Sequence, residues 1–323
     1  KNPEIDIIVE LIGGTTVAFE LVMLALENGK HVVTANKALI AEHGMKIFAL
    51  AESRGLMVCY EAAVAGGIPI IKALREGLSA NRVNWLAGII NGTTNFILSE
   101  MDTKGREFAD VLSEAQARGY AEADPTFDVE GIDASHKLAI LASIAFSMPL
   151  SLDGLFTDGI TQLEPQDVAY ARELGYVVKH LGIARQSASG IELRVHPTLI
   201  PKRSLIAGVS DVSNAIMVNA DAVGTTLFYG PGAGAEPTAS AVIADIVDVA
   251  RVMDSYPDSW VPPLGCHSSV LQERALMAIE DVETGFYIRF SALDKPGVLS
   301  DITKIMGDAG ISIEAIIQRE QPA

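Results

Sequence analysis

The chain has few cysteines, few cations and no long apolar runs. Only Cys59 and Cys266 occur among 323 residues. They lie far apart with no CxxC partner, which excludes a disulfide framework and a zinc ribbon; Cys59, inside an apolar run, reads as core. Lysine and arginine total 24 against 41 acids, a formal net charge of -17. An acidic surface repels polyanions, so nucleic acid and anionic membranes are excluded as partners. The apolar runs fall far short of a membrane span and no charged-then-apolar leader opens the sequence, so a cytoplasmic protein is expected. With 49% hydrophobic and 20% charged residues the chain is globular and long enough for two or three domains.

What is present in excess is a concentrated acidic stretch, Gly119 to Lys137 (GYAEADPTFDVEGIDASHK). Glu122, Asp124, Asp128, Glu130 and Asp133 precede or open a helix that carries Lys137 one turn later. Pro125 and Gly131 bar regular helix from the first half. Asp133 reads as the N-cap or a first-turn acid, and the run Leu138 to Phe146 marks the helix as buried. Positions four apart share a face, so Asp133 and Lys137 point the same way. A calcium loop is rejected: with Gly131 at loop position six, the twelfth position is Lys137 rather than the required Glu. An Asp and Lys at this spacing are commonly a solvated ion pair. Here the lysine leaves a largely buried helix and its ammonium must have partners. A lysine beside carboxylates in a cleft can protonate a carbonyl oxygen, and the spare carboxylates can receive a substrate ammonium.

This stretch closely resembles the catalytic segment of homoserine dehydrogenases. The resemblance extends over nearly the whole chain through VVTANKALIA, YEAAVAGGIPII, NGTTNFIL and GPGAGAEPTASAV. It implies transfer of a hydride between NAD or NADP and L-aspartate 4-semialdehyde or L-homoserine. Lys137 would then be the acid, oriented by Asp133, with Glu122 receiving the substrate ammonium and Asp128 and Asp124 completing the amine site or holding its loop.

The strand and helix rhythm agrees with an α/β chain. Residues 5–11 read as strand, 17–27 as helix, 31–35 as strand, 38–53 as helix and 56–60 as strand, the alternation of a parallel sheet covered on both faces. No Gly-x-Gly-x-x-Gly between a strand and a helix precedes them. The expectation is a Rossmann-type nucleotide-binding domain that is incomplete at its N-terminus, and therefore weak cofactor binding by residues 1–323 alone. Gly230-Pro-Gly232-Ala-Gly234-Ala235 fits the fingerprint formally, but it leads into the linker SYPDSWVPPLG rather than a second parallel strand. By resemblance this loop closes over the cofactor from the opposite side, and its helix (237–253) returns to the nucleotide domain. The resemblance assigns Gly13, Thr15, Lys37, Gly232 and Glu236 to the cofactor, with Lys37 also facing substrate across the crevice at a strand end.

Residues 61–69 (EAAVAGGIP) must form a tight irregular loop. In the resembling family it holds a monovalent cation, sodium or potassium, which maps to Glu61, Val64, Gly66 and Ile68. The aliphatic side chains leave carbonyl oxygens as ligands, which suits a hard ion.

Strand is expected at 83–90, 191–195 and 215–222, and helix at 93–101, 106–118, 133–146 and 167–181. Together they form an α+β catalytic and dimerisation domain whose apolar sheet pairs between subunits in a homodimer or homotetramer. Residues 285–293 (strand), 298–308 (helix) and 311–317 (strand) resemble half of an ACT domain, implying threonine as effector. Three elements leave an unpaired sheet edge, so the segment is expected to be disordered, docked elsewhere or swapped. The division expected is 1–61 with 236–255 for the nucleotide domain, 62–235 for the catalytic domain, 256–284 as linker and 285–323 as the partial ACT-like tail. Two other readings stay open: a non-catalytic fragment retaining the substrate pocket, and an amino-acid-sensing regulator.

Overall fold

The computed structural model describes residues 2–293 and 295–319. Strand β1 (Ile7–Glu10), helix α1 (Val17–Glu27), β2 (His31–Thr34), α2 (Lys37–Arg54) and β3 (Val58–Cys59) follow the alternation expected from the sequence. The sheet is wholly parallel in the order β1-β2-β3, with Val9 opposite Val33 and Val33 opposite Cys59. Period two divides its two faces. Val32 packs with α1 and α2 through Leu26, Leu39 and Ile47, whereas Val33 and Cys59 pack against Val242 and Val249 of the distant helix α9 (Ala235–Val252). The chain thus returns to this sheet 170 or more residues later, as the glycine-loop reading required. Asn36 caps α2 by accepting from Leu39 N, and Gly55, left-handed at φ 60°, ends it. β1 is an edge strand. Between it and α9 lies an apolar groove of about 590 Å³ lined by Val9, Leu11, Val242, Ile243 and Ile246.

After β3 come the short helix α3 (Ile70–Lys72), β4 (Val83–Ile89), α4 (Gly92–Lys104), α5 (Phe108–Ala117), α6 (Thr126–Val129), α7 (Ile132–Phe146), β5 (Phe156–Thr157) and α8 (Pro165–Glu173). The strands β6 (Tyr176–Gln186), β7 (Ile191–Pro201), β8 (Ser213–Ala220) and β9 (Gly224–Pro231) follow, then α9 and α10 (Val298–Asp308). The second sheet has the order β5-β7-β6-β4-β8-β9, antiparallel except for β5 beside β7. One face, with Leu86, Ala184, Leu193, Ile216 and Val218, shares a core with Leu138, Ile140 and Leu141 of α7. On the other face Ala87, Ile183, Met217 and Leu227 are only half-buried.

Three expectations are corrected. The helix placed over 167–181 stops at Glu173; Gly175, at φ 86°, turns the chain and the β-branched run after Tyr176 enters an eleven-residue strand. The acidic loop contains one helical turn, α6, because Pro125 sits at its N-cap, where its missing N–H is no loss. Residues 285–293 and 311–317 form no strands, although α10 forms as read. Two strands of a split β-α-β unit are separated by a third, and no such strand lies among the described residues. The segment instead docks on α8: Tyr287 Oη donates to Asp167 Oδ1 at 2.9 Å, Arg289 pairs with Asp167 at 2.7 Å and Glu164 at 2.7 Å, and Arg319 pairs with Glu173. Docking elsewhere was one of the three outcomes expected. The turn read at 294–297 begins outside the described residues, as does the end of the tail at 320–323. No helix of the described residues is long and apolar enough to cross a membrane.

Candidate active site

The site forms where α4 and α7 begin and α2 faces them. Gly131, left-handed at φ 82°, starts α7 and places Asp133 in its first turn. A side chain at Gly131 would press on His180, Thr157 and Val195 at 3.1–3.2 Å, so this helix start is sealed against the sheet. Asp133 is buried, and both of its oxygens are occupied. Oδ1 receives Lys37 Nζ at 2.9 Å; Oδ2 receives Lys137 Nζ at 2.7 Å and Asn91 Nδ2 at 2.9 Å. Burial alone would raise the pKa of this carboxyl. The Lys137 and Lys37 ammoniums, with hydrogen bonds from Lys137 and Asn91, override it and hold the pKa at about 2.

Lys137, whose side chain is 11% exposed, also donates to the Ile90 carbonyl at 2.8 Å. The buried ammonium therefore has the partners its apolar helix demanded. Lys37, 35% exposed, starts α2 and lies 5.7 Å from the Phe127 ring centroid, a cation–π contact with α6. Asp128, on α6, is half-buried and accepts from Asn91 Nδ2 at 2.7 Å. Burial raises its pKa and the neighbouring Asp133 charge adds to that, opposed by the Asn91 hydrogen bond and the two lysines.

Of the residues singled out from sequence, Lys37, Asp128, Asp133 and Lys137 are brought together. Glu122 and Asp124 lie on the exposed turn before α6. Asp124 accepts from Thr126 N at 3.1 Å and so holds its own loop, while the Glu122 carboxylate forms no hydrogen bond or ion pair among the described residues. Asn91, Phe127 and the Ile90 carbonyl were not assigned roles from sequence. The amide of Asn91 meets carboxylates 37 and 42 positions away, and nothing local to it in the sequence signals those contacts.

The Gly13–Gly14 turn lies at the C-terminal end of β1, where open α/β sheets bind ligands. Buried Glu10 shapes it by accepting from Ile12 N at 2.9 Å and Gly13 N at 3.1 Å, and from Thr34 Oγ1 at 2.6 Å. Asn36 Nδ2 reaches Gly14 O at 2.7 Å, tying this turn to the one that presents Lys37. Both glycines have positive φ and nothing within 4 Å of a would-be Cβ, so the backbone is open to a ligand. Thr15 is half-buried just ahead of α1, and Glu236 is exposed in the first turn of α9.

Residues 61–69 abut the glycine loop. Gly66 has φ 54°, and a Cβ there would stand 2.6 Å from the Gly232 carbonyl oxygen. Glu61 spends both carboxylate oxygens on Ile71 N and Lys72 N at 2.9 and 2.8 Å, capping α3. Burial pushes this carboxyl up to about 7 against those two donors. Its own N–H donates to Asp245 of α9 at 2.8 Å. The Val64 and Gly66 carbonyls accept no hydrogen bond among the described residues, whereas the Ile68 carbonyl accepts from Ile70 N at 2.8 Å.

Comparison with known proteins agrees with this geometry. Residues 1–61 match the family profile described as homoserine dehydrogenase, NAD binding domain; residues 69–247 match homoserine dehydrogenase; and residues 286–323 match the ACT domain. The chain is 64% identical to a homoserine dehydrogenase of Pseudomonas aeruginosa over 99% of this chain and 74% of that protein. A crystal structure of a homoserine dehydrogenase from Thiobacillus denitrificans superposes with a TM-score of 0.92 at 59% identity, covering 98% of this chain and 74% of that one. A hyperthermophilic archaeal homoserine dehydrogenase in complex with NADPH gives 0.65 at 28% identity, over 76% and 71%. A Rossmann-type sheet joined to an α+β layer, with an ACT segment beyond, defines a nicotinamide-dependent oxidoreductase. The chain belongs to the homoserine dehydrogenase family.

Proposed function

We propose that the Lys37–Asp133–Lys137 cluster is the catalytic centre for the interconversion of L-homoserine and L-aspartate 4-semialdehyde. The observation that carries this reading is a single buried carboxylate holding two ammoniums, one from each sheet unit, at the mouth between them. When bound, the nicotinamide cofactor accepts or donates the hydride at the substrate's terminal carbon. Lys137 gives a proton to the aldehyde oxygen during reduction and removes it from the hydroxyl during oxidation. Asp133 fixes Lys137 through a 2.7 Å hydrogen bond, and Lys37 meets the substrate carboxylate or its reacting end. Asp128 receives the substrate ammonium, with Glu122 approaching from the exposed turn. Gly13, Thr15, Lys37, Gly232 and Glu236 line the cofactor side; NADPH in the archaeal relative supports NADP as the form used. Formation of NADPH from NADP dependent on L-homoserine tests the reading, and no reduction with either nicotinamide cofactor overturns it.

The domain limits drawn from the sequence stand as our division of the chain. The ACT match supports an amino-acid effector, threonine, acting through the tail. The half-buried apolar sheet face at Ala87, Ile183, Met217 and Leu227 supports pairing between two subunits. A monomer in sedimentation at micromolar concentration would remove that reading. A biosynthetic enzyme of amino-acid metabolism fits the cytoplasm.

A monovalent cation fits the Val64 and Gly66 carbonyls, which have no other partner among the described residues, beside the backbone of Glu61 and Ile68. Sodium or potassium is expected to raise the melting temperature by about 2 °C or more over a bulky organic cation at matched ionic strength. Gly66→Val should abolish the difference, because φ 54° is strained for valine and its side chain meets the Gly232 backbone. Identical melting of the parent protein in all three salts would exclude the site.

A further inference from the structure

Asn91 carries two tasks with one side chain. As the N-cap of α4 its Oδ1 accepts from Thr94 N at 2.8 Å. That bond fixes the amide orientation, since a flipped amide would set N–H against N–H and turn an oxygen toward two carboxylates. The amide nitrogen therefore faces Asp128 Oδ1 at 2.7 Å and Asp133 Oδ2 at 2.9 Å, one hydrogen for each. The cap alone does not call for asparagine, because Asp and Ser cap about equally well. Of the three, only Asn offers two donors.

The position of Asn91 is set from outside the site. One turn into α4, buried Asn95 donates to the Asp211 and Ser213 carbonyls at 3.0 and 3.1 Å, and the buried Lys179 ammonium reaches the Asn95 oxygen at 3.2 Å. Gly92 lies so close to the Val212 carbonyl that a Cβ there would stand at 2.8 Å. The helix start cannot drift toward or away from the carboxylates.

We propose that Asn91 is a positioning residue for substrate-amine recognition: it bridges Asp128 and Asp133 and so keeps Asp128 ionised, with Oδ2 left for the substrate ammonium. Asp128 Oδ2 has no hydrogen-bond partner among the described residues, whereas both oxygens of Asp133 are taken. The charged groups facing Asp128 are Asp133 and Lys137 from α7 and Lys37 from α2; the bridge from α4 is the neutral contribution. Without it, two carboxylates that share one donor would repel, and Asp128, the less well paired, would take up a proton first. This assigns different work to the two acids, Asp133 to the lysines and Asp128 to the substrate.

The inference rests on Asp128 being the amine carboxylate, so the experiment separates the two. L-homoserine is titrated calorimetrically, with and without NADP, into the parent protein, Asn91→Asp, Asn91→Ser and Asp128→Asn across a pH series, with melting temperatures alongside. Asn91→Asp keeps the cap but replaces both donors with an oxygen. It should raise the homoserine Kd by about 10- to 100-fold and move the acid edge of binding up by about one pH unit, and it should lower the melting temperature, because a third carboxylate then stands beside Asp128 and Asp133. Asn91→Ser keeps the cap and at most one donor, and should fall between. Parent-like Kd and pH edge in Asn91→Asp overturn the proposal; if that variant does not fold, parent-like binding by Asn91→Ser does so. Lost binding in Asp128→Asn with parent-like binding by both Asn91 variants sinks the bridge alone. Parent-like binding by Asp128→Asn sinks the amine assignment itself.

Discussion

Lys137→Met is expected to lower kcat by about 10²–10⁴ with a much smaller change in KM, the loss typical of a missing general acid or base. Methionine matches the lysine stem in length and carries no charge, so the buried position is refilled by an unbranched apolar chain next to the core residues Leu138 and Leu141. Asp133 retains Lys37 at 2.9 Å and Asn91 at 2.9 Å, so its charge is still compensated. What disappears is the ammonium held by both Asp133 and the Ile90 carbonyl. Lys37 is the competing donor, since it bonds the other oxygen of the same carboxylate. Its greater exposure and its place on α2 favour substrate binding over proton transfer, so Lys37→Met should act chiefly on KM. Homoserine-dependent NADPH formation by the two variants decides between them. Near-normal kcat in Lys137→Met with a collapse in Lys37→Met would exchange their roles.

The legible and illegible parts of this structure divide along a physical line. The strand at 31–35, the helix at 38–53 and the i,i+4 pairing of Asp133 with Lys137 depend on neighbours within a few residues, and all were readable. So was α7 as a helix whose lysine, flanked by buried apolar residues, needed partners. Contacts formed across long separations were not readable from pattern alone. Nothing local to Asn91 reports that Asp128 and Asp133 will meet its amide, and nothing in Glu61 reports that both its oxygens will cap α3. The strand at 176–186 was misread because residues 176–181 continue a helical apolar spacing; only Gly175 marks the break. In the tail, alternation at 285–293 was real, yet alternation alone makes no strand without an edge to pair with. Tyr287 and Arg289 found the α8 carboxylates instead.

Asp133→Ala should destabilise the protein by about 3–5 kcal/mol at neutral pH, besides abolishing turnover, because removing the shared carboxylate leaves two ammoniums facing each other, one of them nearly buried. The effect should depend on pH in a defined direction. The folded-state pKa of Asp133 lies at about 2, below its ordinary value of 3.8. Between those values the unfolded chain binds more protons than the folded one, so stability rises with pH there. The contribution is fully present above about pH 4, and lost as the pH falls through about 2; the shift corresponds to roughly 2 kcal/mol. Urea unfolding of the parent and Asp133→Ala at neutral pH, and then at steps from about pH 4 to pH 2.5, measures it. The gap between the two proteins should narrow as acid protonates the unfolded parent. A gap that stays constant down to the lowest pH would show that packing around Asp133, and not its charge, holds α7 against α2.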